Sequence, residues 1–190
     1  MQLRSPIRAT LLAVALCLAA PATAYGATYR TGSLLPLIES AADRVQVADQ
    51  VAAAKFGTTQ PINDPVREQE VLDTMAAKAP ALGLDPAAVI AFFRNQIEAN
   101  KLVQRGLYAL WTAHPGQVPT HRPDLAALRP VIDRINDALL TELAATAPTR
   151  TGITCDIRIV AGARLVDARR RLDKLHADAL TRSLHSACQG

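Results

Sequence analysis

From Ser33 to the C-terminus the sequence holds no Asn-Gly or Asp-Gly pair, its β-branched residues are scattered, and alanine and leucine fill the apolar stretches. Without hairpin turns or alternating apolar runs there is no signal for a sheet, so the core has to be assembled from helices. The spacing predicts a first helix from about Ser33 to Phe56, ended by Gly57 and the turn-rich Thr58-Thr59-Gln60-Pro61. Asp64-Pro65 and Asp85-Pro86 each put an N-cap before a proline at the first helical position. The first pair opens a helix that fades near Pro80 and Gly83, the second a helix reaching about Thr112. His114 to Pro123, with three prolines and a glycine, reads as a loop. A fourth helix is expected from about Asp124 to Ala145, with Pro130 kinking its start or marking where it begins. Ala147 to Thr154 reads as a second loop, and helices at about Cys155 to Arg170 and Asp173 to Ala187 finish the chain. The expectation is one all-α domain over residues 33–190, a bundle of about six helices.

Ahead of that domain, Arg4 and Arg8 precede an apolar run from Leu11 to Ala20, followed by the small-x-small patterns Ala22-Thr23-Ala24 and Tyr25-Gly26-Ala27. The run is too short to span a bilayer and is flanked as a secretory signal peptide is, so cleavage after Ala24 or Ala27 and export to the periplasm or beyond are expected. Roughly 165 residues then remain, enough for one domain with its own core and no membrane anchor. The formal net charge of +4 falls by two with the loss of Arg4 and Arg8. That balance, with only three Phe, three Tyr and one Trp, points away from a nucleic-acid partner. Cys17 leaves with the leader, and Cys155 and Cys188 remain as an even pair in an oxidising compartment, where a disulfide is expected. Closing a loop of roughly 30 residues would restrict the unfolded chain by about 3 to 4 kcal/mol. A metal site is the weaker reading, since there is no Cys-x-x-Cys and His176 and His185 lack ligand spacing.

Charged residues then appear where apolar ones belong. The first helix has an apolar stripe through Ile38, Ala41, Val45, Ala48 and Ala52, and Lys55 falls in line with it. At 100° per residue, Lys55 lies about 20° from Ala48 and Arg44 about 20° from Lys55, the two cations separated by about 16 Å of rise. Each alone is explained by snorkelling at the stripe edge. Two on one face require anions to meet them, from protein carboxylates or from a ligand. In the third helix, Asn100 and Gln104 stand one turn apart near Ile97 and Leu102. Such a pair is either a solvated face or, beside buried cations, a set of oriented hydrogen bonds for a small molecule.

Taken in order, "LIESAADRVQVADQVAAAKF", "INDPVREQEVL", "GLDPAAVIAFFRNQIEANKLVQ", "PDLAALRPVIDRIN" and the Cys155 and Cys188 pair resemble the all-helical AroQ-class chorismate mutases, most closely their secreted subclass. The resemblance implies an isomerase that converts chorismate to prephenate by a Claisen rearrangement, with no cofactor and no metal. It implies that Arg44, Arg67 and Arg129 bind substrate carboxylates, that Lys55 donates to the ether oxygen, and that Gln104 donates a second bond there. Asn100 matches a position near the ring carboxylate where Ser or Thr is common. Glu68 matches a carboxylate that accepts the substrate hydroxyl, and Asp64 either assists it or serves only as an N-cap. The residue near Val71 that meets this hydroxyl in some relatives is apolar here. The longer secreted members build each site from one chain, which leaves room for a homodimer formed by helix packing rather than by shared sites. The competing expectation is a secreted helical binding or effector module that keeps the bundle without the chemistry. A surface-binding helical protein has little support, since no strongly basic amphipathic face is present.

Overall fold

The computed structural model describes residues 32–188; the expected leader and its cleavage site lie outside the described residues. Among the described residues there are seven α-helices, two 3-10 turns and no strand. The helices are α1 (Leu35–Lys55), α2 (Pro65–Lys78), α3 (Pro86–Ala113), α4 (Leu125–Ala145), α5 (Ala147–Arg150), α6 (Cys155–Arg170) and α7 (Lys174–Ser183). None of them is long and apolar enough to cross a membrane.

The caps form where the sequence places them. Asp64 accepts the Arg67 backbone N–H at 3.0 Å, Asp85 those of Ala87 and Ala88 at 3.2 and 3.1 Å, and Asp124 that of Ala126 at 2.9 Å. Each satisfies N–H groups that the first helical turn leaves unpaired. Because Asp124 caps α4, Pro130 does not mark its start; it lies inside the helix, in the second turn, where it cannot donate to the Ala126 carbonyl.

Two expectations about the C-terminal third are corrected. The stretch expected as a loop begins with the helical turn α5, giving seven helices where about six were expected. Its Arg150 is buried and donates to the carbonyls of Leu143 at 3.3 Å and Ala187 at 3.0 Å, tertiary partners that local propensity does not announce. The last helix ends at Ser183 and not near Ala187; turns continue to Cys188, which the Cys155–Cys188 disulfide ties to the first residue of α6. Its Cα atoms are 5.7 Å apart, within the ordinary span of such a bond.

One apolar core joins these helices, with Leu37, Ile38, Leu72, Phe92, Phe93, Leu139, Leu140 and Leu180 fully buried. Helix α1 runs through its middle, packing on α3, α4, α6 and α7. Gly162 lets α6 approach: a Cβ there would collide with the Cδ1 of Ile38. At the C-terminal end of α1, Phe56, Tyr108 and Trp111 stack edge to face with ring centroids 5.0 to 5.3 Å apart around Phe56.

Candidate active site

Four helices and the α1–α2 connection enclose a cavity with about 680 Å³ of atom-free space, counting its open mouth. Helix α1 contributes Arg44, Val51 and Lys55; α2 contributes Arg67, Glu68 and Val71; α3 contributes Ile97, Asn100, Lys101 and Gln104; α4 contributes Arg129 and Ile132. Asp64 and Ile62 line it from the connection. The mixture of apolar walls with a few convergent polar groups is that of a small-molecule site.

The two α1 cations are held differently. Arg44 is 5% exposed and its Nε donates to Asn136 Oδ1 of α4 at 2.8 Å. That is the one hydrogen bond its guanidinium makes among the described residues, which leaves both Nη groups for a ligand. Burial pulls its pKa down to about 10, an effect that nearby Asp133 opposes and Arg67 reinforces. Lys55 is 8% exposed, and its Nζ donates to the Pro61 carbonyl at 2.8 Å, folding the α1–α2 connection over the end of the cavity. Burial lowers its pKa; Asp64 and Glu68 pull it back up, while Arg129 adds to the lowering.

Arg67 is partly engaged, its Nη1 donating to Glu70 at 3.2 Å and its Nη2 to Asp133 at 2.8 Å. Three of its five N–H groups remain. Arg129 is exposed at the rim. The amide pair forms a chain: Gln104 Nε2 donates to Asn100 Oδ1 at 2.7 Å, and Asn100 Nδ2 donates to the Arg44 carbonyl at 3.4 Å. Gln104 Oε1 is buried with no partner among the described residues. Asp64 serves as the α2 cap and also lines the cavity.

The chorismate mutase type II family model matches residues 36–105, which run from the start of α1 to just past Gln104. The secreted chorismate mutase of Mycolicibacterium smegmatis is 34% identical over 180 residues, covering 94% of this chain and 99% of that protein. The chain belongs to the chorismate mutase type II family. The secreted chorismate mutase of Mycobacterium tuberculosis is 31% identical over 159 residues, covering 84% of this chain and 80% of its own length. Among solved structures, the chorismate mutase from Burkholderia phymatum superposes with a TM-score of 0.79 at 35% identity, covering 85% of this chain and 99% of that one.

For this chorismate mutase family member, the structure brings Arg44, Lys55, Arg67, Glu68, Asn100, Gln104 and Arg129 to one cavity within one chain. Three residues at or behind it escaped the sequence reading. Asn136 and Asp133 hold Arg44 and Arg67 from α4, and Lys101 donates to Glu68 from α3. For Lys101 a signal existed, since it directly follows Asn100 and adds a cation to the helix that carries the amide pair. For Asp133 and Asn136 the signal was only their place in the segment "PDLAALRPVIDRIN", one and two turns past Arg129.

Proposed function

We propose that this chain is an exported chorismate mutase that rearranges chorismate to prephenate in the cationic cavity between α1, α2, α3 and α4. One observation carries the reading: Lys55 and Gln104 stand in the same cavity as three arginines, each with N–H groups left over after its protein contacts. Such an excess of donors calls for an anion rich in acceptors.

In the reaction the ether C–O bond of chorismate breaks as a C–C bond forms, with all electrons supplied by the substrate and no covalent intermediate on the protein. The chain has two tasks: to hold the dianion in the compact shape where the two carbons meet, and to meet the negative charge that grows on the ether oxygen. Arg44 presents its Nη fork to one carboxylate, aimed by the bond from its Nε to Asn136. Arg67 binds through the N–H groups that Glu70 and Asp133 leave open, and Arg129 closes the clamp from the rim. Lys55, with two N–H groups beyond the one on Pro61, donates to the ether oxygen. Gln104 donates there with the N–H not committed to Asn100. Asn100 gives its remaining N–H to the ring carboxylate, and Glu68 accepts the hydroxyl.

Export is supported by the leader pattern from Arg4 to Ala27 and by relatives named as secreted. The deciding experiment adds purified mature protein to chorismate and follows the loss of chorismate absorbance together with the appearance of prephenate. Turnover establishes the enzyme. Tight binding of chorismate without turnover would replace it with a binding module, and neither would remove both.

A further inference from the structure

Glu68 is the one glutamate lining the cavity, facing a site that otherwise attracts a dianion. Its carboxylate receives three hydrogen bonds from two groups: Lys101 Nζ at 3.2 Å from each oxygen, and the Asp64 backbone N–H at 3.3 Å from Oε1. An ionised carboxylate offers about four lone-pair sites, so one remains. Lys101 is 9% exposed, arrives from α3 directly after Asn100, and also contacts Glu98 Oε1 at 2.6 Å. With a carboxylate from its own helix on one side and Glu68 from α2 on the other, its charge is already met by the protein. It differs in this from Arg44 and Lys55, whose contacts are to a neutral amide and a backbone carbonyl.

We infer that Lys101 is a positioning residue: it fixes the Glu68 carboxylate so that the open lone pair meets the substrate hydroxyl. The other charged groups facing Glu68 are Arg44 and Lys55 from α1, Asp64 and Arg67 beside it, and Arg129 from α4. None of these donates a hydrogen bond from its side chain to the carboxylate. The task therefore falls to Lys101. The sequence reading assigned it no role, and a simple ion pair fastening α2 to α3 is the competing account. The inference rests on chorismate being the substrate.

The test measures kcat and KM for wild type, Lys101→Met, Lys101→Arg, Glu68→Gln and the Lys101→Met/Glu68→Gln double variant. Each is assayed with chorismate and with an analogue in which hydrogen replaces the hydroxyl. Lys101→Met is expected to lower kcat/KM for chorismate by about 10- to 100-fold, the range for a hydrogen bond to a charged group. On the analogue the loss should shrink to within about threefold, the double variant should be no worse than Glu68→Gln, and Lys101→Arg should recover most of the activity. Equal losses on both substrates, an additive double variant, or an unaffected Lys101→Met overturns the inference in favour of the fastening pair. Should Lys101→Met lose its helical circular dichroism, Lys101→Gln carries the same comparison. Failure of the wild type to convert chorismate would instead remove the proposed function, a separate and recognisable result.

Discussion

Helix α1 has two charged sides, and they behave oppositely. Arg44 and Lys55 share one side, while Glu39, Asp43, Gln46 and Asp49 occupy roughly the opposite 120° of the helical wheel. On the far side every charge is met. Arg170 of α6 donates from Nε to Glu39 at 2.8 Å and from Nη1 to Asp43 and Gln46 at 2.6 and 2.7 Å. His176 of α7 sits between Asp49 at 2.8 Å and Asp173 at 2.7 Å, one carboxylate on each ring nitrogen. On the cavity side, donors outnumber acceptors.

The titration of the two sides differs accordingly. The hydrogen bond to Asp49, helped by Asp173 and opposed by burial, raises the His176 pKa to about 9. For Arg170, burial pulls downward but the bonds to Asp43 and Glu39 overcome it, and the net shift is upward. Arg44 and Lys55 move down, because burial costs them more than distant carboxylates return. Charges that are satisfied hold the fold together; charges left short of partners are what a ligand can use.

Substitutions on the two sides should therefore separate activity from stability. The largest effect is expected from Lys55→Ala, which removes a charged donor from the breaking bond and should lower kcat/KM by about a thousandfold with the melting temperature little changed. Steady-state kinetics beside a thermal melt checks it, and near-normal turnover would remove Lys55 from the mechanism. Gln104→Glu should convert a flat profile between pH 5 and 7.5 into one that falls as pH rises, since a carboxylic acid donates only while protonated. In the wild type the decline belongs at the alkaline end, where Lys55 loses its proton below the ordinary lysine value. A Gln104→Glu variant with a flat profile would place residue 104 away from the ether oxygen.

On the fastening side, reducing the Cys155–Cys188 bond should remove roughly 3 to 4 kcal/mol, a drop in melting temperature on the order of 10 °C, while turnover at 25 °C changes much less. Thiol titration beside calorimetry measures both, and an unchanged melting temperature would deny the bond its stabilising role. The smallest effect is expected from His176→Gln. A histidine with a raised folded-state pKa contributes stability that is complete below the unfolded value near 6.5 and lost as pH climbs through about 9. Wild type should exceed the variant by a few degrees at pH 6, about the shift of 1 kcal/mol, and match it at pH 10. A gap independent of pH would mean that packing, not charge, holds α7 to α1.

What the sequence determined by itself was local or periodic. Helical period, the Asp-Pro caps at 64 and 85, and the surviving cysteine pair each depend on residues within a few positions or on counting, so they were readable without coordinates. The site's inner wall was readable in part, because Arg44 and Lys55 break an apolar stripe and the ordered family pattern names their partners. Tertiary packing alone decided how those groups are held. Asn136 meets Arg44 across 92 positions, Asp133 meets Arg67 across 66, and Lys101 meets Glu68 across 33. Whether a charged side chain points at a neighbour or into a cavity depends on which helix faces lie together, and that follows from burying the whole core at once.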